Sequence, residues 1–121
     1  MLMLKSLHHV QLAMPAGFEA QARAFYGVLL ELPEVAKPPE LAKRGGVWFA
    51  QDDLRVHLGV EEPFLPARKA HPAFQVTGLA ALFDRLEAAG VTLRRDSALP
   101  GNTRFYAEDP FGNRIEFLEP I

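Results

Sequence analysis

The sequence predicts an α+β fold made of two βαβββ modules, one spanning residues 1–62 and the other 70–121, within a single domain. Three observations predict it. The order of strand-like and helix-like segments begins again after the proline-rich stretch EEPFLPARKAHP, 61–72. Polar residues in apolar strands fall at matching places in the two halves: His9 and His57 are 48 residues apart (57 − 9), and His71 and Glu116 are 45 apart (116 − 71). Finally, WFAQDDLRVHL, 48–58, can be laid on FYAEDPFGNRIEFL, 105–118, with two extra residues in the second turn; this matches His57 with Glu116.

Each element has a local reason. LHHVQLAM, 7–14, is rich in strand-compatible residues and stops at Pro15, which cannot continue a central strand. Phe18, Ala22, Phe25 and Leu29 step by the spacing of one helical face, and Gly27 within that pattern costs about 1 kcal/mol against Ala, so the helix is expected to fray there. The segment 31–46 holds three prolines and a closing Gly pair, a connection with room for a short strand near Val35. GVWFA, 46–50, and LRVHLGV, 54–60, form a hairpin around QDD. In the second half, AFQV, 73–76, is a strand, and Thr77 is placed to cap a helix whose face is Leu79, Leu82, Phe83 and Leu86. Gly90 stands where a left-handed C-terminal cap belongs. VTLRR, RFYA and NRIEFL supply three more strands, the last two joined by the turn-rich EDPFGN.

Composition narrows the chemistry. At 121 residues and 49% hydrophobic content the chain can bury a substantial core. A formal charge of −2 and the lack of a long basic run give no footprint for nucleic acid or an anionic membrane. With no cysteine there is no disulfide and no thiolate metal site, so any metal must be held by nitrogen and oxygen donors. The N-terminal MLMLKSLHHV lacks a signal-peptide apolar region, and no 18-residue apolar run exists, so a cytoplasmic protein is expected.

Four residues stand out as candidate ligands: His9, His57, His71 and Glu116. Singly, each is more often a hydrogen-bonded or half-exposed strand residue. Jointly, three imidazoles and a carboxylate suit a divalent first-row metal, provided that the two sheets face a shared interior. A metal would also supply the partner that a buried carboxylate requires. His8, one residue from His9, is expected on the opposite strand face. Trp48, Phe49, Phe105 and Tyr106 are candidates to line a cavity, although such aromatics are more often plain core. Arg68 and Lys69, with Arg104 behind them, are candidates for anion recognition, but a solvated loop is the favoured reading.

HHVQLAM, AFYGVLLELP, HLGV, HPAFQV and DPFGNRIEFLE together resemble the vicinal oxygen chelate superfamily of glyoxalase I, bleomycin-resistance proteins, fosfomycin-modifying enzymes, extradiol dioxygenases and methylmalonyl-CoA epimerase. The resemblance covers nearly the whole chain. It implies two βαβββ modules forming an incomplete barrel around a divalent metal (Ni, Co, Zn, Mn or Fe) and a homodimer. It implies His9, His57, His71 and Glu116 as metal ligands, a small-molecule substrate bound through two oxygens, and Glu116 or His57 as the proton-moving group of a lyase or isomerase. Two alternatives stay open: an Fe(II) dioxygenase with His9, His71 and Glu116 as a facial triad, and a drug-binding protein without catalysis. Binding proteins of the superfamily usually lack the ligand set, which this chain keeps. The chain departs from the family pattern at Glu31, where a Gly cap is usual, and at His57, where glyoxalase I-like sequences carry Glu.

Overall fold

The computed structural model describes residues 1–121 throughout. The chain divides into two compact units, Met1–Leu65 and Pro66–Ile121, with the division inside the proline-rich stretch. The first unit runs β1 (Val10–Met14), a helix that starts as α1 (Glu19–Ala22) and continues as a π-helical stretch (Arg23–Leu29), β2 (Glu34–Val35), a short α2 (Pro39–Ala42), β3 (Val47–Gln51) and β4 (Leu54–Val60). The second runs β5 (Ala73–Gln75), α3 (Leu79–Ala88), β6 (Leu93–Arg95), β7 (Asn102–Glu108) and β8 (Arg114–Pro120). Both units are therefore βαβββ modules, and the fold is α+β.

Each unit builds an open four-stranded sheet, ordered β1-β4-β3-β2 in one and β5-β8-β7-β6 in the other. First and last strands of a module pair in parallel, which only a crossover connection allows, and the helix lies in that crossover. The remaining neighbours are antiparallel. Strand alternation gives each sheet two unlike faces. In the first unit Leu12, Met14, Val47, Phe49, Val56 and Leu58 are buried on one side together with Ala22, Phe25 and Tyr26 of the helix. In the second, Phe105, Ala107, Ile115 and Phe117 are buried with Leu79, Phe83 and Leu86 of α3. Burying one such large side chain contributes about 2 to 3 kcal/mol, so the sheet–helix contacts are the main source of each unit's stability.

Several sequence expectations change on folding. The first helix does not fray at Gly27. A Cβ there would meet the Phe49 ring at 3.3 Å, so glycine allows the helix to lie close on the sheet. The wide π-helical turn, with the Leu30 amide bonded to the Phe25 carbonyl, brings both Phe25 and Tyr26 to the core, while Phe18 stays 45% exposed. Glu31 takes the left-handed conformation, φ 60°, in place of the usual glycine. Gly90 takes it too, with φ 80°. Thr77 is not the cap of α3. Gly78 precedes the helix at φ 84°, and the Glu119 carboxylate accepts hydrogen bonds from the Gly78 and Leu79 amides at 2.9 and 3.1 Å. Strand β1 starts only at Val10, leaving His8 and His9 just ahead of it.

The turn in EDPFGN is held by side chains. Asp109 Oδ1 accepts from the amides of Phe111 and Asn113, both at 2.9 Å, and its Oδ2 accepts from Asn113 Nδ2 at 3.0 Å. Asn113 Oδ1 in turn accepts from the Ala67 amide at 2.9 Å, which ties the start of this unit to the β7–β8 hairpin.

Candidate functional site

Helices cover one face of each sheet, and the candidate ligands stand on the other. In β3–β4 Trp48 pairs with His57, and in β7–β8 Tyr106 pairs with Glu116. His9 lies two residues before Gln11, the β1 partner of His57; His71 lies two residues before Ala73, the β5 partner of Glu116. The two units thus repeat one pattern: a histidine ahead of the first strand, a ligand-type residue in the last, an aromatic residue opposite it.

This register corrects one detail of the sequence repeat. Trp48 corresponds to Tyr106, not to Phe105, because the residue facing Glu116 is Tyr106. Each aromatic dipeptide sends one ring to either side of its sheet. Trp48 and Tyr106 stand on the ligand-bearing faces, while Phe49 and Phe105, at 0% and 2% exposure, are core residues on the helix side. Phe49 packs beside Tyr26 and Phe105 beside Phe83.

In the first unit the His57 imidazole is stacked between Trp48, with centroids 4.0 Å apart and planes 6° apart, and His9, at 4.3 Å and 20°. His57 as a whole is only 8% exposed. Burial, reinforced by His9, His8, Lys37 and Arg55, pushes its pKa down to about 4. His57 is therefore neutral at physiological pH, the form that coordinates a metal or accepts a proton. His8 does not stand opposite His9: their rings meet edge to face at 5.3 Å and their Nδ1 atoms are 3.0 Å apart. Strand alternation does not reach residue 8, because β1 has not begun.

In the second unit His71 Nδ1 lies 2.7 Å from the Lys69 carbonyl oxygen. A carbonyl can only accept, so Nδ1 carries a proton toward Lys69; a carboxylate accepts too, so the 2.8 Å contact between Nε2 and Glu116 Oε1 holds a further proton between those two atoms. A backbone carbonyl on the outer nitrogen is the arrangement that orients a metal-binding histidine. The other Glu116 oxygen accepts from Arg104 Nη1 at 3.1 Å, and Arg104 Nη2 reaches Asp96 at 3.1 Å. Those two contacts raise the Arg104 pKa against the effect of burial, the largest influence on it. Glu116 is 5% exposed, so both of its oxygens are satisfied inside the protein. Arg104 Nε is buried without a hydrogen-bond partner.

Donor chemistry fits a divalent ion: imidazole nitrogens and one carboxylate, with His57 neutral and His71 tautomerically fixed. Neither unit by itself gathers three such groups. Arg104 as the ion-pair partner of Glu116 was not foreseen. It is the diagonal neighbour of Glu116 on the same sheet face, a contact that follows once Tyr106 is set opposite Glu116. Of the basic residues considered for anions, Arg68 pairs with Glu108 at 3.4 Å and Arg104 is engaged by two carboxylates.

The profile of the Glyoxalase/Bleomycin resistance protein/Dioxygenase superfamily matches residues 6–117, and the chain belongs to this superfamily. Among solved structures, a glyoxalase family protein from Bacillus anthracis is 45% identical, with a TM-score of 0.96, covering 100% of this chain and 99% of that one. A lactoylglutathione lyase from Agrobacterium tumefaciens, at 20% identity and a TM-score of 0.75 over 98% and 96% of the two chains, shares the fold. So does TnmS3, an antibiotic binding protein from Streptomyces sp. CB03234, at 19% identity and a TM-score of 0.76 over 100% of both. No curated protein matches the chain. No helix is long and apolar enough to cross a membrane.

Proposed function

We propose that this chain is a metal-dependent, glyoxalase-like enzyme of the lyase or isomerase type that takes a small substrate. His9 and His57 from the first unit, with His71 and Glu116 from the second, would hold one divalent ion, in one chain or across a homodimer. When bound, the ion would supply Lewis acidity toward two neighbouring substrate oxygens. The chain's own contribution is proton handling: His57, neutral above about pH 4, accepts a proton, and Glu116 shares one with His71 Nε2.

The observation that carries the reading is the His71–Glu116 pair. Two metal-type donors face each other at 2.8 Å, one with its tautomer set by Lys69, on a sheet face that otherwise buries no carboxylate. Elemental analysis of protein purified without chelator should give close to one divalent ion per chain. Nickel, cobalt, manganese, iron(II) or zinc should raise the Tm of chelator-treated protein. An ion-free protein whose Tm ignores all five would sink the proposal. Turnover of a thiol hemithioacetal, a catechol or fosfomycin with a thiol would then separate the lyase, dioxygenase and transferase variants.

One observation favours a second reading, a metal-free small-molecule binding protein: Arg104, 3.1 Å from Glu116, already gives that carboxylate a counter-charge. Saturable binding of bleomycin with no bound metal and no turnover would select it.

A further inference from the structure

The ligand-bearing face of the first sheet opens into a cavity of about 770 Å³, within the usual range for small-molecule sites. Its lining includes the apolar and aromatic Trp48, Val35, Pro38 and Leu41 and the basic Lys37, Arg44 and Arg55. No Asp or Glu lines it. The acids of this unit with resolved contacts are committed elsewhere: Glu34 to Arg23 at 2.8 Å, Glu40 to Lys43 at 3.9 Å and Glu19 to the Gly46 amide at 2.8 Å.

None of the three cations forms an ion pair, although the Glu19 carboxylate is near enough to Lys37 to feel its charge. Lys37 Nζ donates to the Gly45 carbonyl and stands 5.8 Å from the centre of the Trp48 ring. Arg55 Nη1 donates to the His8 carbonyl at 3.2 Å, leaving most of its donors open. Arg44 is exposed at the rim. Three positive charges line one cavity with the Trp48 ring and no acid among the lining residues, an electrostatic environment that favours an anion. A guanidinium is suited to the planar, two-oxygen geometry of a carboxylate or phosphonate, and the indole to an apolar body of similar flatness.

We infer that the small molecule taken by this site is an anion with a flat apolar body, its charge held by Lys37, Arg44 and Arg55 and its body set along Trp48. This rests on the reading of the open sheet face as the functional site, but not on the metal.

Trp48 is the single tryptophan of the chain, so its fluorescence reports this cavity directly. Chelator-treated and metal-loaded protein would each be titrated with benzoate, phenylphosphonate and neutral benzamide. The two anions should give a saturable change in the chelator-treated form, with benzamide at least about tenfold weaker, the worth of a charge-assisted hydrogen bond. Arg44→Met and Arg55→Met should each weaken benzoate about tenfold. Lys43→Met, an exposed residue outside the lining, should leave it unchanged. Arg44 has no side-chain partner within the protein, so its variant keeps the test valid even if Arg55→Met unfolds. Equal binding of benzoate and benzamide, or benzoate binding indifferent to both arginine variants, would overturn the inference. Benzoate bound only by metal-loaded protein, unaffected by Arg44→Met, would overturn it while supporting the metal site. Benzoate bound by protein that takes up no metal would support it and remove the metal.

Discussion

Replacing Glu116 by Gln removes one charge while leaving shape and most hydrogen bonds in place. The glutamine oxygen can still accept from Arg104 Nη1, now at 3.1 Å, and its amide nitrogen can donate to His71 Nε2, now 2.8 Å from Oε1. The second contact is possible because the Lys69 carbonyl keeps the His71 proton on Nδ1. In chelator-treated protein the expected loss is therefore about 1 kcal/mol, a few degrees of Tm for a chain of this size. Metal response should change far more. At a metal concentration of about 100 Kd the wild type gains about 2.7 kcal/mol, which corresponds to roughly 10 °C. Losing the one carboxylate of the proposed ligand set should weaken binding at least about a hundredfold, leaving about 0.4 kcal/mol of that gain. Differential scanning fluorimetry with and without nickel or cobalt reads both quantities, and calorimetric titration reads the affinity. A glutamine variant with a metal-induced Tm rise equal to wild type would refute the assignment of Glu116 as a ligand. So would an equal loss of metal response in Glu119→Gln, whose carboxylate caps α3 and faces the helix side.

Three more outcomes follow from particular contacts. The Gly78 and Leu79 amides hold the Glu119 carboxyl below its ordinary value of 4.5, so its contribution is complete above that pH and disappears as acid titrates the folded group; Glu119→Gln should lower Tm near neutrality, and this deficit should shrink toward pH 3 when melting is followed by circular dichroism. Gly46→Ala should cost at least about 3 kcal/mol in urea unfolding, because its φ of 85° suits glycine and a Cβ there would come 2.2 Å from the Leu58 carbonyl oxygen. Glu31→Gly should stabilise the protein by about 0.5 to 1 kcal/mol in the same assay, since relief of the left-handed φ of 60° exceeds the extra flexibility of the unfolded chain.

How much of this was legible beforehand differs from feature to feature. The first helix was placed by its apolar spacing, yet the spacing named Phe18 and missed Tyr26, because an α-helical period does not anticipate a π-helical turn. The helix in the second half was placed as well, but its cap came from Glu119, 41 residues beyond Gly78, where no local rule for capping looks. His57 and Glu116 were recognisable as polar residues in apolar strands, and both are buried. Which aromatic residue accompanies each was not, because a one-residue change of register exchanges the two faces of a strand.

By itself the sequence determined the class, α+β in two βαβββ modules, since hydrophobic periodicity and proline breaks are local properties repeated along the chain. It also determined the donor types available to a metal, because the absence of cysteine leaves only nitrogen and oxygen. Tertiary structure alone decided the state of those donors. Burial between Trp48 and His9 keeps His57 neutral, Lys69 sets the His71 tautomer, and Arg104 meets the Glu116 charge. Each depends on which side chains become neighbours across strands, and that register is set by packing of whole faces rather than by any residue's own preference.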